Sequence, residues 1–273
     1  MEILNGLIQN VIYNDGIYYS SEEKEVSYPK EGNTDCFVLE DQSFWFKGRN
    51  EIILATIRKF SINGPIFDIG GGNGYVSVFL NNNGYCSILV EPGIEGCQNA
   101  KKRGLKYIIN STLEIKHFNP ESISNMGLFD VLEHIGDQEN FINQAYRLIS
   151  KGGIIFLTVP AFRCLWSIED TYAGHFRRYR RKEINCLFEK HGFDILYSTY
   201  FFSFLFLPVF LIRYIPTRFG FYKIDPKKSL KHHKTDSIIS RVVKILMQIE
   251  LKNIKKGKIL KMGTSILLVA RKK

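Results

Sequence analysis

The chain has 273 residues, 45% of them apolar and 23% charged, a composition that builds a full core and excludes a disordered or low-complexity protein. Its formal charge of +10 is concentrated between Arg213 and Lys261, where 14 Lys and Arg face only Asp225, Asp236 and Glu250, a local net of +11 that leaves −1 for the remainder. An anionic partner is therefore expected for that late segment rather than for the whole protein.

Taken in order, residues 1–42 read as a short β-rich or irregular lead-in. Its first residues, MEILNGLIQN, have no basic stretch followed by an apolar one, so no signal peptide is expected. Asn14-Asp15-Gly16 reads as a turn between Val11-Ile12-Tyr13 and Ile17-Tyr18-Tyr19. A helix is predicted from Ser43 onward, with Phe46, Ile53, Leu54, Ile57 and Phe60 at helical spacing and Asn63-Gly64-Pro65 as its stop. Strands and helices then alternate. Strands are predicted at Ile66–Ile69, Cys86–Val90, Lys106–Ile109, Met126–Leu132 and Ile154–Val159, with helices near Tyr75–Asn82, Glu95–Arg103 and Gln138–Ile149 between them. Beyond a polar, aromatic insertion at Ala161–Arg180 come a helix at Lys182–Lys190, a strand at Asp194–Thr199 and a last strand at Thr264–Ala270. The last strand suits an edge or an antiparallel partner for its predecessor. Such alternation predicts an α/β fold, a Rossmann-like doubly wound sheet of about seven strands with helices on both faces and the last strand antiparallel. Ligands of such sheets bind outside the C-terminal strand ends. Five scattered cysteines, never spaced C-x-x-C, argue against a zinc ribbon or a disulfide framework and favour a reducing, cytoplasmic setting.

The chemistry-bearing stretch is Ile66-Phe67-Asp68-Ile69-Gly70-Gly71-Gly72-Asn73-Gly74-Tyr75. A buried strand, a tight glycine turn and a helix N-terminus let a polar or anionic ligand approach the main chain. A nicotinamide fingerprint counted from Gly70 would need a third glycine where Tyr75 stands. The pattern present is D-x-G-x-G-x-G, from Asp68 to Gly74. With Glu91 after the second core strand, Asp130-Val131-Leu132-Glu133-His134-Ile135 and Leu148-Ile149-Ser150-Lys151-Gly152-Gly153, the chain resembles a class I S-adenosylmethionine-dependent methyltransferase. The resemblance is to the branch that includes ubiquinone-biosynthesis enzymes, and it covers roughly residues 44–202 and 262–271. It implies S-adenosylmethionine as cofactor and S-adenosylhomocysteine as product. It also implies Asp68, Gly70, Gly71, Gly72, Gly74, Glu91, Pro92, Ser111, Thr112, Asp130, Val131 and Leu132 around that cofactor, with Arg49 at its methionine carboxylate. Within this set Glu91 suits the ribose hydroxyls, and Asp68 suits an acceptor that braces the turn. Residues 43–204 with 262–273 are expected to form the cofactor-binding domain and 205–261 an apolar and basic insertion.

For methyl transfer, His134 and His175 are the candidate catalytic residues, because imidazole can take a proton from an acceptor hydroxyl. The alternatives are a wall or capping role for His134 and a structural hydrogen bond within the insertion for His175. Arg177, Arg178 and Tyr179, in a basic run that resembles a bacterial H-x-R-R-Y signature, are candidate acceptor-binding residues together with Trp45. Pairing of these arginines with Glu169 and Asp170, and plain packing of Trp45, are the competing readings. No metal site is expected.

Ile195 to Ile212 is 18 residues without charge, but Asp194–Thr199 is needed as a strand. The 13 residues left, Tyr200–Ile212, predict an apolar hairpin or short helix. Ser237–Leu251 is amphipathic, with Ile238, Val242, Ile245, Leu246 and Ile249 on one face. Covering an acyl or prenyl acceptor, core packing, a dimer contact and an anionic membrane surface are open for this region, and Pro226–His233 reads as a basic loop. The expected function is methyl transfer to a small-molecule acceptor, sugar- or lipid-linked among the options, by a monomer or homodimer that is cytoplasmic or peripheral to the inner membrane surface. A nucleic-acid methyltransferase using the basic segment is the alternative, though the strand motif is not N/D-P-P-Y/F/W and no Pro-Cys pair occurs, so no specific nucleic acid is expected. A non-catalytic cofactor-binding protein is a further alternative.

Overall fold

A computed structural model describes residues 4, 6–20, 30–215 and 238–273. In chain order they form β1 (Val11–Asn14), β2 (Ile17–Ser20), α1 (Lys30–Gln42), α2 (Phe44–Phe60), β3 (Ile66–Ile69), α3 (Tyr75–Asn82), β4 (Ser87–Val90), α4 (Ile94–Lys102), β5 (Ile108–Asn110) and β6 (Ile123–Phe129). There follow α5 (Gln138–Leu148), β7 (Ile149–Pro160), α6 (Ile168–Tyr172), α7 (Arg181–Lys190), β8 (Phe193–Phe201), α8 (Phe206–Val209), α9 (Ile238–Lys255) and β9 (Ser265–Lys272). The loop Pro226–His233 lies outside the described residues.

Among the described residues the strands make one sheet of order β1-β2-β5-β4-β3-β6-β7-β9-β8. β5, β4, β3, β6 and β7 run parallel, while β9 lies antiparallel between β7 and β8. The sheet thus has nine strands rather than about seven. The two extra strands are the Asn14–Ile17 hairpin, which joins by parallel pairing of β2 with β5. Its turn residues Asp15 and Gly16 have φ of 47° and 82°, the positive pair that a tight two-residue hairpin needs. The last strand is interior, not an edge, and its run Ser265–Ala270 is buried throughout.

Side-chain alternation sorts the core onto two faces. Phe67, Ile69, Leu157, Val159, Leu268 and Ala270 pack with Ile142 and Leu148 of α5 and Ile184 and Phe188 of α7. Ile66, Phe156, Leu267 and Val269 pack on the other face with Ile53, Leu54 and Ile57 of α2 and Ile254 of α9. Ser43 caps α2 by accepting from the Trp45 N–H (3.2 Å), and Asp137 caps α5 by accepting from Asn140 (3.1 Å).

Three expectations shift. Lys30–Gln42, read as lead-in, is a helix. Lys151-Gly152-Gly153 does not follow the helix as a stop but lies inside β7, where Ile149 already pairs with Ile123 and the register slips before Asn125. β6 ends at Phe129, so Asp130-Val131-Leu132 leave the sheet, and Leu132–His134 coil into a short 3-10 turn. Tyr200–Ile212 divides between the end of β8 and the short helix α8, which continues as a wider π turn over Phe210–Tyr214.

Candidate functional site

Strand order reverses between β3 and β6, and there the C-terminal ends open a cleft of about 1630 Å³. Its floor is the glycine turn. Gly70 and Gly72 take positive φ (64° and 55°), and the Gly70 N–H donates to Val90 (2.7 Å). A Cβ on Gly71 would stand 2.6 Å from Asp68 Oδ2, so only glycine keeps the chain this close to that acid. Asp68 is fully buried and accepts from the Ser77 hydroxyl of α3 (2.7 Å), fixing the turn against its helix. Burial raises it to about 6.

Glu91, just past β4, faces the same turn. One carboxylate oxygen accepts from the Gly72 N–H (2.8 Å) and the other from the Gly93 N–H (2.7 Å), while burial raises it to about 7. Pro92, Ser111 and Thr112 complete this wall. Asn110 steadies it by donating to the Glu91 and Pro92 carbonyls (3.0 and 2.9 Å).

Asp130 has φ of 57°, and its carboxylate meets Arg49 Nη1 at 2.5 Å and the Thr158 hydroxyl at 3.1 Å. Arg49 is buried against the rings of Trp45 and Phe46 (5.1 and 5.2 Å), and its Nε has no hydrogen-bond partner among the described residues. Val131 stands over Gly70 at the cleft edge. Asp130, Phe162 and Phe202, one or two residues past β6, β7 and β8, all hold the left-handed φ that non-glycine residues avoid, so strain gathers at this one edge.

The far side of the cleft is made by the insertion and α8. His134 and His175 meet edge to face, centroids 4.7 Å apart. His175 Nδ1 is 2.8 Å from Asp170 Oδ1. Asp170 also receives the Arg178 fork at 2.7 and 3.0 Å and the Ser167 N–H at 2.8 Å. His175, Arg178 and Ser167 together outweigh burial and hold Asp170 down at about 2, so it is an anion. Burial, then the neighbouring His175, pushes His134 down to about 4, so its ring is neutral at physiological pH. Glu133 is buried with Oε2 unpartnered among the described residues, and burial and Asp130 hold its carboxyl well above the usual range. Glu133, His134 and His175 each bring a ligand-type atom within 4.8 Å of the others, a donor set a divalent cation can accept. Chain spacing did not reveal this grouping, because His175 folds back onto the strand motif from 41 positions away. Leu205, Pro208, Val209 and Ile212 form an apolar wall opposite.

Of the residues singled out from sequence, Trp45, Arg49, Asp68, Gly70, Gly71, Gly72, Glu91, Pro92, Ser111, Thr112, Asp130, Val131, His134, His175 and Arg178 line this cleft. Four do not. Gly74 faces α4, where a Cβ would stand 2.8 Å from Ala100 Cβ, so it serves helix packing. Leu132 is buried in the core. Tyr179 is buried with its hydroxyl near Leu132 O and Gln138 (3.3 and 3.0 Å), and the Arg177 guanidinium donates outward to Gly136 O (2.8 Å). Arg178 reaches the wall, but its fork is taken up by Asp170. Glu40 of α1 also lines the cleft, tied to Arg103 (3.0 Å) and Asn73 (3.3 Å), a contribution hidden by reading that segment as irregular.

The geometry fits an S-adenosyl group: a glycine cradle open to the main chain, a strand-end acid for vicinal hydroxyls, and an arginine with a spare N–H. A family model described as a methyltransferase domain matches residues 42–198. The chain is 22% identical over 166 residues to a probable S-adenosylmethionine-dependent methyltransferase of Mycolicibacterium smegmatis, covering 58% of this chain and 62% of that protein. Among solved structures it resembles phosphoethanolamine N-methyltransferase 2 of Haemonchus contortus (TM-score 0.55, 16% identity, 90% of this chain and 58% of that one). It also resembles a possible histamine N-methyltransferase of Thermotoga maritima (TM-score 0.52, 18% identity, 90% and 100%). At those identities the structural likeness speaks to fold alone. The family match spans more than half of the chain and includes the glycine turn, Glu91 and the Asp130–Ile135 motif, and on that ground the chain belongs to the methyltransferase-domain family.

Proposed function

We propose that this protein transfers a methyl group from S-adenosylmethionine to a hydroxyl of a small acceptor that carries an apolar portion. The observation behind the reading is a single cleft with a cofactor-shaped half and a proton-handling, apolar half. Gly70–Gly72 and Glu91 would hold the nucleoside, and Arg49 the methionine carboxylate. The cofactor, when bound, supplies an electrophilic methyl on a sulfonium. An acceptor oxygen placed between the two halves would take that methyl, with the S–C electron pair left on sulfur as S-adenosylhomocysteine.

The proton lost by the acceptor goes to a ring nitrogen. With Nδ1 committed to Asp170, the nitrogen of His175 left for this is Nε2. Asp170 is an anion one hydrogen bond away and fixes the ring, so the charge formed on His175 has its counter-ion in place. His134, neutral and edge-on to His175, suits orientation of the acceptor better than proton capture. Leu205, Pro208, Val209 and Ile212 would exclude water from the transfer and receive the apolar portion, consistent with a lipid-linked acceptor.

The test is calorimetric binding of S-adenosylhomocysteine together with transfer of labelled methyl from S-adenosylmethionine to fractionated lipid and glycan extracts. His175→Gln should keep the affinity within about twofold and lose about 100-fold or more in turnover, the range that general-base catalysis supplies. Absence of S-adenosylhomocysteine binding, or thermal stabilisation by NAD instead, overturns the cofactor assignment. Undiminished turnover in His175→Gln overturns the base.

A further inference from the structure

We propose that α9 is a membrane-docking helix that seats the protein on anionic lipid through an outward apolar stripe bordered by basic residues. Val242, Ile245, Leu246 and Ile249 are 49%, 56%, 37% and 53% exposed. They stand at i, i+3, i+4 and i+7, one continuous face of a helix. The inward face is a different set. Ile254 is buried in the core beside Ile57 of α2, and Met247 packs so closely that a Cβ on Gly48 of α2 would collide with its side chain. The helix is therefore anchored by one apolar face and presents a second one to solvent.

The occupant is indicated by charge. Arg241 and Lys252 border the stripe on one side, Lys244 lies farther round the helix, and Lys255, Lys256, Lys258 and Lys261 follow at and beyond the helix end, all exposed and joined there by exposed Ile259 and Met262. The only acid in α9, Glu250, is turned inward, where it accepts from the Phe202 N–H, the Ser203 N–H (2.8 Å) and the Ser203 hydroxyl. An apolar stripe with cations along one border and beyond its C-terminal end, and no outward acid, matches an anionic bilayer surface, in which the helix lies along the interface. No described helix is long and apolar enough to cross a membrane. The Glu250–Ser203 contacts also fix the loop entering α8, whose residues wall the cleft, so the docking helix and the cleft mouth share one support. The surface itself does not depend on which acceptor the cleft takes.

The experiment is flotation of the full-length protein with vesicles of phosphatidylcholine alone and with about a third phosphatidylglycerol. Wild type should float with the anionic vesicles and not the neutral ones, and release as salt is raised. I245D/I249D should lower the floated fraction at least tenfold, and R241E/K252E severalfold, with melting temperature and S-adenosylhomocysteine affinity unchanged. Those two readouts separate loss of docking from misfolding and from failure of the cofactor assignment. Equal flotation on both vesicle types, or retention by I245D/I249D, overturns the proposal. So does a wild-type dimer, seen by light scattering, that I245D/I249D splits without any vesicle effect, since a second copy would then own the stripe. Cross-links from α9 lysines to residues 216–237 in protein that does not float would assign the stripe to the chain's own segment and likewise overturn it.

Discussion

Glu91 and Asp68 are buried acids one strand apart, and both titrate upward, to about 7 and about 6. A carboxyl whose folded value is raised holds its proton more tightly folded than unfolded. Its contribution to stability is full below the ordinary carboxylate range and is lost as pH rises through the folded value. The ligand-free protein should therefore melt at lower temperature at pH 8 than at pH 5.5, the loss running from the ordinary carboxylate range up to about 7. Cofactor affinity should run the other way, because an ionised Glu91 is the stronger acceptor for two hydroxyls. Calorimetry across the same range should show S-adenosylhomocysteine binding tighten, and Glu91→Gln should flatten that rise. Glu91→Ala should weaken binding about 10- to 100-fold, the range for hydrogen bonds to a charged group. An affinity independent of pH in wild type would contradict the role given to Glu91. This acid was legible in sequence because an apolar strand ends on it. Glu133 was visible only as part of a motif, since its burial and unpartnered oxygen depend on Asp130 and the insertion closing over it.

At the scale of elements, the insertion after β7 is held by one residue. Asp170 ties α6 to His175 and to Arg178, and Arg178 in turn donates to the Ala161 carbonyl (3.2 Å) at the end of β7. Within the predicted basic run, Arg178 is committed to a buried acid of the same insertion. Asp170→Asn should remove the bidentate partner of Arg178 and leave a buried guanidinium uncompensated. The cost to folding is expected at about 3–5 kcal/mol, measurable by urea unfolding. It should also cut turnover far more than it changes S-adenosylhomocysteine affinity, because Gly70–Gly72 and Glu91 belong to other elements. Equal loss of both would mean that the insertion supports the cofactor half as well. The alternation of strands and helices between β3 and β7 was readable because each element carries its own period and its own stop. The insertion, α1 and α8 were less readable because their conformations are set by contacts distant in sequence, such as Arg103 on Phe37 and Glu40 for α1.

Over the whole molecule, the chain contributes its two ends to the sheet very differently. The N-terminal hairpin adds to an outer edge, and β2 meets β5 only through Tyr18–Ile109 and Tyr19–Asn110. β9 pairs along its length with β7 on one side and β8 on the other, and Ile266, Leu267, Leu268, Val269 and Ala270 are fully buried between the two core faces. Without β9, two strands keep unpaired backbone edges, β8 loses the one sheet neighbour it has among the described residues, and both hydrophobic faces open. Each unmet buried backbone group costs on the order of 1–3 kcal/mol, so the loss exceeds the 5–15 kcal/mol of a typical domain. Removing 265–273 should therefore give a chain with no cooperative thermal transition and exposed apolar surface that binds a hydrophobic dye. Removing 1–20 should leave a cooperative transition at reduced temperature, with Ile17 lost from its small cluster with Leu89 and Ile108. That shortened protein should still bind S-adenosylhomocysteine, because every residue assigned to the cofactor lies on elements from α2 to β6 or immediately after it. A folded, cofactor-binding protein lacking 265–273 would show that β9 is dispensable and that the interior position of the last strand does not carry the fold.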